Sequence, residues 1–101
     1  LMLDEPTANL DFGNQLRVLQ QIQSLAREGY TVIQTTHHPE QSFQFSTRIL
    51  AIQAGQILQD GSPRQVLTRE NMEKLYHVDV EVVSLMDDEA RICIPKLKKE
   101  C

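Results

Sequence analysis

The first third of the chain has two apolar runs separated by an amphipathic segment. Residues 1–3 predict a short strand, and the β-branched run at residues 30–36 predicts a second, buried strand. Between them, residues 11–28 carry leucines and isoleucines at near-helical spacing, which indicates an amphipathic helix with Asp11 as its N-cap and Gly29 at its end. The order strand, helix, strand predicts a parallel βαβ unit with a right-handed crossover.

The middle of the chain alternates short apolar runs with turn residues. We expect a short helix at residues 39–45, then a core strand at 48–53 that turns through Gly55 into an antiparallel partner at 57–60. Ser62 begins a segment of capping-box form, with Pro63 at the first helical position and Gln65 at the third. This pattern predicts a helix that runs to residue 67.

A further helix and a hairpin are expected in the last third. Thr68 caps the predicted helix, which runs through residue 76 with Met72 and Leu75 facing inward. After it, valines at 78, 80 and 82 alternate with acids, and Ile92 and Ile94 alternate with Arg91 and Cys93. Such alternation on both sides of a turn predicts a half-buried hairpin.

Composition and charge exclude several classes of function. With 101 residues and 41% hydrophobic content, the chain suits one small domain or a piece of a larger one. Ten Lys and Arg against fourteen Asp and Glu give a net charge of -4, so nucleic acid is not the expected partner. Cys93 and Cys101 lack metal or redox spacing, and no apolar stretch is long enough to cross a bilayer. We expect a reducing, cytosolic setting.

The most informative feature is the pair of acids, Asp4 and Glu5, that ends the first apolar run. Because successive strand residues point to opposite faces, both acids can serve one site only if the chain turns out of the strand at Glu5, and Pro6 favours that turn. Asp4 could then face a hydrated magnesium ion while Glu5 orients or deprotonates water. For those residues alone, solvated acids at a strand end would be the simpler interpretation.

The longer string from Asp4 to Asp11 resembles the Walker B segment and D-loop of ATP-binding-cassette (ABC) ATPases, with Asn9 departing slightly from the commonest form. The resemblance implies that Asp4 supports magnesium and that Glu5 is the catalytic base. It also implies a loop that contacts the opposite protomer of an ATP-clamped dimer, formed by Ala8, Asn9, Leu10 and Asp11. Asp11 would serve as helix cap at the same time.

A histidine follows the second predicted strand at the same edge of the sheet. The sequence Thr-Thr-His-x-Pro around His37 resembles the switch-histidine region of these ATPases, which implies an imidazole against the γ-phosphate. We interpret His38 as a surface or helix-start residue and assign His77 no chemistry. Adjacent His37 and His38 diverge and do not predict a metal site, and the acids at residues 87–89 lack calcium-ligand spacing.

The resemblance implies an α/β fold: a partial P-loop NTPase (RecA-like) parallel sheet with flanking helices, followed by β-hairpins and short helices, truncated before the Walker B strand. Residues 1–61 would be the C-terminal part of the ATPase core, and residues 62–101 would complete the same domain. The Gly-rich phosphate loop, Q-loop and signature are not in the sequence. We therefore expect the C-terminal part of a longer subunit, without ATPase activity on its own.

The function implied is ATP hydrolysis, with ATP and Mg²⁺, that drives solute import; the last third resembles importers of iron chelates, haem or cobalamin. The implied partners are a second ATPase subunit in a homodimer, membrane permease subunits and, indirectly, a solute-binding protein. The subunit would be cytoplasmic and peripheral on the inner face of the membrane. Two alternatives stay open: a non-transport ABC ATPase of repair or translation, and a non-enzymatic fragment that docks on a partner.

Overall fold

The computed structural model describes residues 1–96, so residues 97–101, including Cys101 and the end of the expected 62–101 segment, lie outside the described residues. The chain divides into two compact units, residues 1–39 and the residues from Glu40 onward. In the described part, the strands form three two-stranded sheets. None of the described helices is long and apolar enough to cross a membrane.

The first unit contains a parallel pair of strands linked by a helix. Its elements are β1 (Met2–Asp4), α1 (Phe12–Arg27) and β2 (Ile33–Thr35). Asp11 caps α1 by accepting the backbone N–H of Asn14 at 2.8 Å, and Gly29 takes a left-handed φ of 101° after the helix. The predicted βαβ order, parallel pairing and caps are confirmed.

The prediction for β2 was wrong in length and burial. The strand covers three residues rather than residues 30–36, and Ile33 is 56% exposed. At its start, the Tyr30 N–H still donates to Leu25 of the helix end at 3.2 Å. At its end, the Thr36 hydroxyl accepts the His38 N–H at 3.0 Å and so closes a local turn. Between these local bonds, the cross-strand backbone bonds run from Thr31 to Thr35 and end where Glu5 turns out of β1 with a positive φ.

The second unit begins with a helix and a hairpin. These are α2 (Pro39–Phe45, whose first residue falls in the first unit), β3 (Ile49–Gln53) and β4 (Gln56–Gly61), and the antiparallel pairing is as predicted. Positive φ values at Ala54 and Gly55 form the turn. The expectation of a core strand holds only for Ala51, because Leu50 and Ile52 are exposed.

Two short helices, α3 (Pro63–Val66) and α4 (Arg69–Tyr76), follow with the predicted caps. Both bonds of the capping box are present, and Thr68 accepts the Asn71 N–H at the start of α4. The buried core of this unit consists of Phe43, Leu67, Met72 and Val80, of which Leu67 lies between the two short helices. Leu75 packs against it, as expected.

The last hairpin consists of β5 (Val80–Leu85) and β6 (Ala90–Pro95). The predicted antiparallel pairing is confirmed. Val82 pairs with Cys93 and both pack against the core, whereas Ile94 is exposed. Alternation alone did not reveal that Cys93, rather than Ile94, lies on the core side of β6.

Candidate functional site

The predicted acids and histidine meet at one edge of the parallel strands. Asp4 is the last residue of β1 and pairs in register with Thr35, the last residue of β2. Glu5 follows with a positive φ of 43°, so the chain leaves the strand there as predicted. A left-handed non-glycine residue costs about 1 to 2 kcal/mol, which local contacts must offset. Because of this turn, the Glu5 side chain does not have to point to the sheet face opposite that of Asp4.

Glu5 and His37 are in direct contact. His37 Nε2 lies 2.8 Å from Glu5 Oε1, and the imidazole is 84% exposed. A carboxylate can only accept a hydrogen bond, so Nε2 carries the proton and donates it. The contact joins residues from the ends of both strands and leaves their other polar atoms accessible to a ligand.

A third side chain, Thr35, was not predicted as part of this site. Its hydroxyl donates to Asp4 Oδ1 at 2.5 Å and accepts the Glu5 backbone N–H at 3.1 Å. The Thr35 carbonyl accepts the same N–H, also at 3.1 Å. No sequence pattern indicates this link, because threonine is common in strands and the register between the two strands has to be known.

The segment after the acids folds as consecutive turns. The Ala8 N–H donates to the Glu5 carbonyl at 3.0 Å, and the Leu10 N–H donates to the Thr7 carbonyl at 3.3 Å. Thr7 is buried, whereas Ala8, Asn9 and Asp11 are exposed and Leu10 is half-buried. The predicted dimer-contact residues thus form an accessible loop between β1 and α1. Their role between subunits stays a prediction.

The donor set suits a magnesium ion that is held largely by water and phosphate. Among the described residues, only Thr35 bonds the Asp4 carboxylate, and it does so through Oδ1, which leaves Oδ2 available. No group of three or more metal-ligating side chains occurs in the described part of the chain. Mg²⁺ in nucleotide sites typically uses one or two carboxylates and completes its shell with water and phosphate oxygens, so Asp4 fits that role.

The other two histidines lie at helix ends, His38 just before α2 and His77 at the end of α4, and Cys93 lies in β6. The His38 backbone N–H is bonded to Thr36, and His77 ends α4 in a left-handed conformation. Burial raises the pKa of the half-buried Cys93 thiol.

The turn of the last hairpin holds the acids at residues 87–89. Asp88 pairs with Arg91 at 2.7 Å, and its hydrogen bond with Arg91 lowers the pKa of the carboxyl to about 2. The Ser84 hydroxyl also donates to Asp88, at 2.9 Å. Asp88 therefore stabilises the turn of the hairpin, and its carboxylate oxygens accept hydrogen bonds from Arg91 and Ser84.

This edge has an acid pair at the end of one strand and a histidine after the next strand, and comparisons with known proteins show which class of protein the chain resembles. The homologues are ABC transporter ATP-binding proteins, as the residues had indicated. No protein-family model matches the chain.

Three particular relatives define the similarity. The chain is 38% identical over 88 residues to the hemin import ATP-binding protein HmuV of Shewanella denitrificans, covering 86% of this chain and 35% of that protein. It is 42% identical over 82 residues to HmuV of Plesiomonas shigelloides, covering 81% and 31%. It is 36% identical over 83 residues to the petrobactin import ATP-binding protein FpuC of Bacillus anthracis, covering 81% and 30%.

A solved structure supports the fold. The chain matches a putative metal-chelate type ABC transporter in an inward-facing conformation with a TM-score of 0.79 and 30% identity, over 96% of this chain and 39% of that one. The predicted α/β fold of an ABC ATPase is therefore confirmed. The chain spans about a third of the length of the curated relatives it matches.

Proposed function

We propose that this chain supplies the Walker B, D-loop and switch-histidine segments of the ATPase subunit of an ABC importer for haem or an iron chelate. The observation that carries the proposal is the contact of Glu5 with His37 beside Asp4. The names of the relatives favour import of hemin or petrobactin over the repair and translation roles of other ABC ATPases.

Each residue has a distinct proposed role in hydrolysis. Glu5 accepts a proton from the attacking water or orients it, and His37 contacts the γ-phosphate, where its imidazole also fixes the Glu5 carboxylate. Asp4 holds Mg²⁺, directly or through water. The ion, when bound, neutralises charge on the phosphate oxygens. The exposed loop of Ala8, Asn9, Leu10 and Asp11 contacts the second subunit.

The proposed partners and location follow from the transporter assignment. The subunit forms a homodimer around ATP and transmits closure to membrane permease subunits, with a solute-binding protein delivering the substrate outside. It lies in the cytoplasm against the inner face of the membrane. The phosphate loop of the site comes from a segment that these 101 residues do not contain.

A chimaera tests the proposal. The chain replaces its matching segment in HmuV of Plesiomonas shigelloides, which provides the phosphate loop, and magnesium-dependent ATP hydrolysis is measured. We expect turnover, and we expect Glu5→Gln to lower it by about 100-fold or more, because a positioned base contributes that much. Nucleotide binding should persist in the Glu5→Gln protein. Hemin uptake into vesicles that also carry the permease tests the transport part.

The matched control is Glu28→Gln, the same change at the exposed C-cap of α1. This variant should hydrolyse ATP like the parent chimaera. A folded chimaera without turnover, or a Glu5→Gln variant with unchanged turnover, would contradict the proposal.

A further inference from the structure

Thr35 links the two acids of the site through one hydroxyl group. It donates its proton to Asp4 Oδ1 at 2.5 Å and accepts the Glu5 backbone N–H at 3.1 Å. A hydroxyl has one donor and two acceptor positions, so both bonds form at once. Because the proton points to a carboxylate, this donor bond is charge-assisted and directional.

The backbone fixes Thr35 in this place. The parallel register pairs Asp4 with Thr35 at the last position of each strand, where their side chains lie on the same face. The next residue, Glu5, leaves the strand with a φ of 43°, and its N–H is held by both the carbonyl and the hydroxyl of Thr35. The hydroxyl therefore connects the side chain of one acid to the backbone turn of the other.

We infer that Thr35 is a positioning residue of the hydrolytic site: its hydroxyl fixes the Asp4 carboxylate so that Oδ2 is presented to the metal, and it steadies the Glu5 turn. This inference rests on the proposed function. Among the described residues, no other group bonds the Asp4 carboxylate, so without the hydroxyl this carboxylate is free to rotate among staggered rotamers. A residue that hydrogen-bonds to a metal ligand, without touching the metal, orients that ligand and so affects metal affinity.

The first measurement uses the 101-residue chain without nucleotide. Three-bond Hα–Hβ couplings of Asp4 report its rotamer populations in the parent, Thr35→Val and Thr35→Ser chains. Valine suits a strand and replaces the hydroxyl by a methyl group of similar size, whereas serine keeps the hydroxyl and loses the methyl group. We expect one dominant Asp4 rotamer in the parent and in Thr35→Ser, and averaged couplings in Thr35→Val. A single Asp4 rotamer in folded Thr35→Val would overturn the inference.

The second measurement uses the HmuV chimaera and the Mg²⁺ concentration that gives half-maximal ATP hydrolysis. We expect Thr35→Val to raise this concentration by about tenfold, the lower end of the effect of losing a residue that orients a metal ligand. The KM for ATP at saturating Mg²⁺ should stay unchanged, and Thr35→Ser should restore the parent value. A general loss of stability would lower turnover without this shift in Mg²⁺ dependence.

The matched control is Thr31→Val, which changes a threonine outside the strand whose side chain has no recorded bond among the described residues. It should alter neither the Asp4 couplings nor the Mg²⁺ dependence. If the parent chimaera is active and Thr35→Val matches it in Mg²⁺ dependence, the role of Thr35 is overturned and the proposed function stands. If the folded parent chimaera is inactive, the proposed function fails, and this inference fails with it.

Discussion

Arg91 shows how one charged side chain can organise a half-buried surface. Its guanidinium donates to the carbonyls of Leu67 at 2.7 Å and Arg64 at 3.1 Å, and it lies 4.8 Å from the ring centroid of Phe43. The same group pairs with Asp88. Arg91 can occupy the core side of β6 because its methylene groups pack on apolar surface while its guanidinium donates hydrogen bonds to backbone carbonyls.

The Asp88–Arg91 pair predicts a specific acid sensitivity. The pKa of Asp88 falls from its ordinary value of 3.8 to about 2, first through its hydrogen bond with Arg91, so the ionised carboxylate stabilises the folded chain above pH 3.8. This contribution is lost as the pH falls through about 2. Asp88→Asn should therefore be less stable than the parent at neutral pH, and the difference in free energy of unfolding should narrow between about pH 4 and pH 2.

Urea unfolding followed by circular dichroism at several pH values checks this expectation. Asparagine tolerates the left-handed φ of 64° at position 88, so the substitution changes the charge and not the turn. The control is Asp87→Asn, since the Asp87 side chain has no recorded bond in the described part of the chain and also has a left-handed φ. A stability difference for Asp88→Asn that does not change with pH would contradict the assignment.

At the scale of the element, helix ends are set by short-range bonds, and α3 is the clearest case. Ser62 Oγ accepts the Gln65 N–H at 3.3 Å, and Gln65 Oε1 accepts the Ser62 N–H at 2.9 Å. We expect Ser62→Ala to lower the free energy of unfolding by about 1 kcal/mol, because the Gln65 N–H loses its side-chain acceptor and keeps only the Ser62 carbonyl, at 3.1 Å. Chemical denaturation measures the loss. Ser46→Ala, at a serine without a recorded side-chain bond, should change stability much less; equal losses would argue against the cap.

The caps of α1, α3 and α4 could be predicted from sequence because each bond joins residues three positions apart. The strands were harder. The length of β2 depends on the Tyr30 N–H, which donates to the end of α1, and on the turn at Glu5, which ends the pairing with β1. Likewise, the apolar pattern of β6 did not reveal that Arg91 satisfies the carbonyls beneath the sheet.

In the candidate site, too, some features could be predicted from the sequence, whereas a contact between residues distant in sequence could not. Asp4, Glu5 and His37 were predicted because an acid-rich string and a strand-end histidine resemble a known family, and parallel topology brings strand ends together. The bridge made by Thr35 spans 31 positions in the sequence to Asp4 and depends on register. Periodicity does not specify the register of a three-residue strand, so this contact could not be predicted from the sequence.

At the scale of the whole molecule, each compact unit has its own buried residues. In the first unit, α1 contributes Leu19 and Ile22. In the second, Leu67 stands at the centre: its side chain is 1% exposed, it packs with Phe43 and Met72, and its carbonyl accepts from Arg91. The core of the second unit thus includes a residue that lies between two short helices rather than within either of them.

Replacing Leu67 by alanine therefore tests the core of the second unit. The backbone bonds of Leu67 remain, but the removed methyl groups leave a cavity, and we expect a loss of about 2 to 5 kcal/mol in the free energy of unfolding. Leu50→Ala is the matched control, because Leu50 is 49% exposed on β3 and its truncation leaves less of a void. Urea unfolding of both variants gives the comparison. Equal losses would mean that Leu67 is not the centre of a packed core, whereas a clearly larger loss at Leu67 would support the packing described here.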